Sequence, residues 1–271
     1  MFSPYYAMAR RRGAADPLNH SGLNVALYGA PRRWAMTERG RDSVRRSATT
    51  LQLGPSALDW DGEVLTIRIE EVTAPIPSRL RGVVRIRPAG INPRRFLLDA
   101  AGRHRWQPIA AVGRAEVAFE KPGLSWSGAA YFDTNDGDAP LERDFVEWDW
   151  CRAPLREGAA ILYNAERRDG TKQSLALRVD AAAQVREMAV PSPALLPRTR
   201  WGIRRPTGVD AGHQPRVVQV LEDAPFYARS VIETQLCGER ATAVHESLML
   251  DRFAALPIQM MLPFKIPRRW V

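Results

Sequence analysis

The sequence predicts an all-β protein of antiparallel strands, and three observations carry that expectation. Apolar and polar residues alternate with a period of two in one short run after another. Turn dipeptides such as Asp61-Gly62, Pro122-Gly123, Asp136-Gly137 and Asp169-Gly170 punctuate the gaps between runs. Convincing helical periods are few, so the crossover helices of a parallel α/β fold are missing.

Taken in order, residues 24–28 and 34–37 read as short strands. Residues 38–48, ERGRDSVRRSA, read as a short polar helix with Thr37 as its N-cap and Glu38 at the first position. Strands follow where Leu65, Ile67 and Ile69 alternate with Thr66, Arg68 and Glu70, where Val84 and Ile86 alternate with Arg85 and Arg87, and around Val117 and Phe119. Further strands are expected over 145–152, 160–165, 174–179, 230–235 and 241–248. The Pro-rich segment 190–197 reads as a long loop. A new alternating run begins at Trp148 and Trp150 after Pro140, which places a division into domains 1–140 and 141–271. Many short antiparallel strands at this spacing form barrels or sandwiches.

A chain of 271 residues with 45% hydrophobic and 25% charged residues has material for a sizeable core. No apolar run approaches the roughly 18 residues that span a bilayer, and no leader has the order of a signal peptide, so a soluble or peripheral protein is expected. Cys151 and Cys237 make a poor disulfide framework, which favours a reducing compartment. The net charge of +9 sits at the two ends: nine Arg against Asp16, Glu38 and Asp42 within residues 1–50, then Lys265, Arg268 and Arg269. The stretch between is neutral overall and carries no recognised nucleic-acid module, so nucleic acid is not an expected partner. Both ends mix these cations with Phe2, Tyr5, Tyr6, Met8, Met260, Met261, Phe264 and Trp270. That mixture suits either an anionic membrane surface or two solvated termini.

One stretch concentrates chemistry. Along residues 123–138, GLSWSGAAYFDTNDGD, one face of a strand would carry Leu124, Trp126, Gly128, Ala130 and Phe132. The other would carry Ser125, Ser127, Ala129, Tyr131 and Asp133, a row of small residues ending in a phenol and a carboxylate. Such a row fits a ligand cavity closed by an acid, and it equally fits a solvent-facing strand edge. Trp126 falls on the opposite face from Asp133 and is assigned to the core. In HRW, His104 and Trp106 share a face, either as site residues or as a buried pair stapling two strands. The acidic residues Asp133, Asp136, Asp138 and Glu142 match a calcium loop in the first positions alone, with Asp144 where the bidentate Glu belongs, so no metal is expected. No GxSxG elbow, GxGxxG fingerprint or P-loop is present.

The motifs MFSPYYAMARRR, DPLNHSGLNVALYG, RRWAMTERG, PSRLRG, GRHRWQPIA, GAAYFDTNDGDAPLERDFVEWDW, DAPFYARS and HESLMLDRF resemble the acyclic carotenoid 1,2-hydratases, also called hydroxyneurosporene synthases, of phototrophic bacteria. The resemblance runs across nearly the whole chain. It implies two lipocalin-like antiparallel β-barrel domains with few short helices. It also implies cofactor-independent addition of water to the terminal 1,2 double bond of neurosporene or lycopene, towards spheroidene or spirilloxanthin. The chain begins almost at the first motif, so longer relatives are expected to carry a further N-terminal segment.

Acid-catalysed hydration of an unactivated alkene needs a protonated carboxylic acid, aromatic faces around a tertiary carbocation, and a group that orients water. Within the resemblance, Asp133 is the expected general acid, Trp106 and Tyr131 the cation stabilisers, and His104 the group that positions or deprotonates water. Asn135 and Asp136 are expected to support them, on a turn that holds the acid. A long polyene leaves a bilayer at a cost of about 0.8 kcal/mol per CH₂, so the enzyme is expected on the cytoplasmic side of the inner membrane, drawing one end of the carotenoid into a barrel. A terpenoid or polyketide cyclase on the same scaffold, or a non-enzymatic carrier of apolar ligands, remains an alternative.

Overall fold

The computed structural model describes residues 3–269; Phe2 and Trp270, counted above among the terminal aromatics, lie outside them. The chain opens with α1 (Pro4–Arg11) and a 3₁₀ turn (Pro17–His20). It then runs through β1 (Ser21–Leu27), β2 (Arg33–Arg39), a second 3₁₀ turn (Arg41–Ser43), β3 (Val44–Arg46), β4 (Thr50–Leu53), β5 (Ser56–Trp60), β6 (Leu65–Val72) and β7 (Arg79–Pro88). The short β8 (Phe96–Leu97) precedes the two longest strands, β9 (His104–Lys121) and β10 (Leu124–Gly137). After α2 (Leu141–Asp144) come β11 (Phe145–Leu155), β12 (Gly158–Arg167), β13 (Lys172–Val179), β14 (Val185–Glu187), β15 (Ser192–Leu196) and β16 (Arg205–Val209). The chain closes with β17 (Arg216–Asp223), β18 (Tyr227–Leu236), β19 (Glu239–Met249), α3 (Leu250–Ala254), α4 (Leu256–Lys265) and β20 (Arg268–Arg269).

The all-β expectation holds: the ladders are antiparallel but for β2 with β20, and the helices are short. Closed barrels are not what the ladders form. The larger sheets are open paths, β10-β9-β7-β6-β5-β4-β3 with β8 on β9, and β14-β13-β12-β11-β19-β18-β17.

The chain groups into two compact units that no single cut at 140 reproduces: residues 1–88, 114–129 and 256–271 in one, 89–113 and 130–255 in the other. Strands β9 and β10 therefore change unit part-way. In β9 the buried residues are even-numbered from His104 to Ala110, then odd-numbered at Val117 and Phe119. A one-residue phase change turns the opposite face of a strand inward, so the same strand serves two cores.

In the first unit, Val25, Ala35, Ile69, Leu80, Val117 and Phe119 form the core. Gly82 on β7 lies so close to β9 that a Cβ would meet the Ala118 carbonyl oxygen at 2.6 Å. Residues 38–48 are not the expected helix. Glu38 and Arg39 end β2, and both are buried, on opposite faces. The Glu38 carboxylate meets Ser3 Oγ, His20 Nδ1 at 2.8 Å and the Arg268 guanidinium, while Arg39 pairs with Glu71 at 2.9 Å. Neighbouring residues buried to opposite sides need extended backbone, and that demand overrides local helix propensity.

In the second unit the seven-stranded sheet has two different faces. One carries Cys151, Ala153, Ala160, Leu162, Ala176, Ile232 and Ala243, packed with Leu196 of β15. Here the hairpin β15–β16, not a closing ladder, covers the sheet, and the expected loop over 190–197 is largely strand. Pro193 and Pro206 are tolerated because this hairpin is two-stranded and offers edges. The β18–β19 turn, Cys237-Gly238, has positive φ at both residues (55° and 77°), the geometry that matches the twist of a two-residue hairpin. Asp210 accepts both its N–H groups, at 3.1 and 2.7 Å.

Candidate active site

The other face of that sheet is aromatic and charged. Register puts Tyr163 of β12 opposite Trp150 of β11, Trp150 opposite Glu246 of β19, and Glu246 opposite Arg229 of β18, so these side chains share one face. The first half of β9 and the second half of β10 belong to the same unit and bring Trp106, Tyr131 and Asp133 to it. The Trp106 and Tyr163 rings lie 5.1 Å apart, the Tyr131 and Trp150 rings 5.1 Å, and the Trp148 and Tyr163 rings 5.9 Å.

Asp133 sits at the centre of this wall. Trp106 Nε1 donates to its Oδ2 at 2.7 Å and the Tyr131 hydroxyl donates to the same oxygen at 2.9 Å. Burial pushes the Asp133 carboxyl above the usual range, against the two donated hydrogen bonds and the more distant Arg229, which favour the anion. Trp106 is fully buried, with Phe96 on its other side at 5.7 Å, so the donor is fixed by packing. Burial first, and then the Asp133 charge, hold the Tyr131 phenol well above its ordinary value. The Arg152 guanidinium lies 5.4 Å from the Tyr131 ring centre and donates to the Ala111 carbonyl at 3.1 and 3.0 Å. Trp150 lies close enough to favour the Tyr131 phenolate, yet its indole N–H makes no hydrogen bond of good geometry among the described residues, nor does that of Trp148.

Of the residues singled out in the sequence, Trp106, Tyr131 and Asp133 come together by direct hydrogen bonds. His104 does not join them. It is buried with Nε2 2.8 Å from Asp144 Oδ2 and its ring edge-on to Phe145 at 4.9 Å, while its backbone N–H donates to Asp99 at 2.7 Å. Trp126 is not core: it is 48% exposed and stacks on Phe119. The expected turn after Asp133 is strand as far as Gly137. Asp136 and Asp138 are gripped by Arg105, at 2.5 Å from Nε and at 3.1 and 3.2 Å from the terminal nitrogens, which is why Asp-Gly does not break the ladder here. Asn135 reaches the Tyr163 hydroxyl at 3.5 Å.

Sequence reasoning missed Glu246, Arg229 and Tyr227. The Arg229 Nε and Nη2 contact Glu246 Oε1 at 2.9 and 2.7 Å, and the Tyr227 hydroxyl also bonds to this carboxylate. Burial pushes the Glu246 carboxyl up, with a further contribution from the charge of Asp133, while Arg229 and Tyr227 act the other way. The motif DAPFYARS carried Tyr227 and Arg229, but alternation alone does not say which strand they meet.

Comparison with known proteins decides the family. The sequence model of the carotenoid hydratase CrtC family matches residues 1–271. The chain belongs to the carotenoid hydratase family. It is 57% identical over 270 residues to an acyclic carotenoid 1,2-hydratase of Thiocapsa roseopersicina, covering 99% of this chain and 67% of the relative. It is 41% identical over 270 residues to the enzyme of that name from Cereibacter sphaeroides, covering 99% and 95%. A crystal structure of CghA with Sch210972 superposes with a TM-score of 0.48 over 81% of each chain at 12% identity. As a carotenoid hydratase the chain is a hydro-lyase, and its substrates are an acyclic carotenoid and water.

Proposed function

We propose that the chain adds water across the terminal 1,2 double bond of neurosporene or lycopene, with Asp133 as the general acid. The observation that carries this reading is that both donors to Asp133 use Oδ2. The proton of the neutral acid therefore belongs on Oδ1, which has no hydrogen-bonding side-chain partner among the described residues. Transfer breaks the Oδ1–H bond, and the alkene π pair forms the new C–H bond at the less substituted carbon. The carboxylate left behind gains strength from its two hydrogen bonds as charge develops. The faces of Trp106, Tyr131 and their aromatic neighbours stabilise the tertiary cation, each by about 2 kcal/mol when desolvated. His104, fixed by Asp144, holds the start of β9 and so the approach of Trp106.

The same proposal places the enzyme peripherally on the cytoplasmic side of the inner membrane. Support comes from α4, whose Leu256, Met260, Met261 and Phe264 are exposed, Phe264 at 77%. Met8 of α1, which packs on α4, and the Arg11 and Arg12 that follow add an exposed apolar residue and two cations. The cytoplasmic leaflet is the anionic one.

Incubating the detergent-solubilised chain with lycopene or neurosporene, followed by chromatography and mass spectrometry, tests the reaction. A product heavier by one water is expected, and Asp133→Asn should abolish it while keeping the fold. An isomer without added water would instead identify a cyclase. Unaltered substrate retained equally by both forms would identify a carrier.

A further inference from the structure

The aromatic face holds a second carboxylate whose surroundings oppose those of the first. Trp150 stands between Glu246 and Tyr163 on this face, and Trp106 packs on Tyr163 while donating to Asp133, so the two acids belong to one aromatic cluster. Asp133 receives neutral donors, an indole N–H and a phenol O–H. Glu246 receives a guanidinium through two nitrogens on Oε1, together with the Tyr227 hydroxyl. A charge-assisted pair of this kind is roughly twice as strong as a neutral hydrogen bond and stabilises the ionised carboxylate. Burial raises both carboxyls, but the guanidinium favours the anion at Glu246 more than the neutral donors do at Asp133, so Glu246 is the better suited to accept a proton and Asp133 to donate one.

Resting on the hydration reading, we infer that Glu246, held by Arg229 and Tyr227, is the general base that binds and deprotonates the water capturing the carbocation. The water donates one O–H to Glu246, and the indole N–H of Trp148, which has no hydrogen-bond partner among the described residues, lies on the same face for its oxygen. A lone pair of that oxygen forms the C–O bond at the tertiary carbon. The O–H bond facing Glu246 breaks, with its electrons kept by oxygen and its proton passing to the carboxylate. That proton leaves to solvent and Asp133 takes one back, so the sum is one water added. Asp133 cannot fill both roles as readily, because its hydrogen-bonded oxygen already carries two donors and its other oxygen has just faced the alkene. His104 is already engaged through Nε2 with Asp144.

Deuterium separates the two steps. A cation that is formed but not captured loses a proton back to a base and returns as alkene, leaving label in recovered substrate. The chain is incubated with lycopene in deuterated buffer, and hydrated product and label in recovered lycopene are both measured. For Glu246→Gln, hydration should fall about 100-fold, the typical contribution of a general base. Its label uptake should stay within about threefold of the parent, so the ratio of exchange to hydration rises by more than tenfold. Arg229→Gln should change the ratio in the same direction, and His104→Gln should leave the ratio as it is, whatever its absolute rate. Exchange and hydration falling together in both Glu246→Gln and Arg229→Gln, with intact circular dichroism, would overturn the assignment. So would hydration near the parent rate in Glu246→Gln. Absence of hydrated product from the unsubstituted chain would overturn the hydration reading and this assignment with it.

Discussion

Trp106 donates its indole N–H to Asp133 across 2.7 Å, from a ring with no solvent exposure. The bond is worth most after the proton has left, because a hydrogen bond to a charged acceptor contributes about 1.5–3 kcal/mol against about 1 for a neutral one. The difference of about 0.5–2 kcal/mol means that Trp106→Phe should lower kcat by about 2- to 30-fold with little change in KM. The sign of the pH effect also follows. In the proposed reaction Asp133 acts as the protonated acid, so activity should fall as pH rises through its elevated pKa. Removing a donor that favours the anion raises that pKa further, so the alkaline limb of the Trp106→Phe profile should move to higher pH. Steady-state rates of both forms across pH check this, and a limb that moves to lower pH would refute it.

Asp149 offers a stability counterpart on the covered face of the same sheet. It is buried, Ser247 donates to it, and burial holds its carboxyl well above the usual range. A carboxyl whose folded pKa exceeds its unfolded value binds more protons folded than unfolded between the two, so its contribution to stability is lost as pH rises through that window. Asp149→Asn resembles the protonated form and does not titrate. Urea unfolding should find the variant gaining on the parent steadily from the ordinary aspartate range upward, and a constant difference across pH would contradict the assignment.

The exposed row on α4 predicts lipid binding with two components. Burying Met260 and Phe264 is worth about 1.5–3 kcal/mol for each side chain, and each basic residue near an anionic surface about 1 kcal/mol. Flotation with liposomes containing anionic lipid should recover the parent chain, with recovery reduced but not abolished by salt. Met260→Ser with Phe264→Ser should lower it at least about tenfold. Equal recovery of both forms, or none of the parent under any salt, would sink the membrane placement. Arg268 should not matter in this assay, because its side chain is buried against Glu38 instead of facing solvent.

The strand pair at the heart of the site was legible because it is local. Two-residue spacing put Tyr131 and Asp133 on one face and His104 and Trp106 on one face, and β9 and β10 are neighbours. What was missed depends on partners far along the chain. Glu246 reads as an ordinary polar position until β19 is laid beside β11, and Arg268 reads as a solvated tail cation until Glu38 is found 230 residues earlier. Asp136-Gly137 reads as a turn because that dipeptide usually is one, and Arg105 on the neighbouring strand changes the outcome. The covering hairpin β15–β16 was hidden by its prolines.

The interleaving of the two units bears on how this chain acquires its structure during synthesis. Domains usually fold in the order in which they emerge, at about 5–20 residues per second. Here residues 1–88 need 114–129 and then 256–271 to complete their unit, with most of the other unit made in between. The early strands must wait on the ribosome with an unfinished core, whereas residues 130–255 emerge as one run. A nascent chain stalled before residue 256 should therefore protect the seven-stranded sheet from protease while leaving the amino-terminal strands open to it.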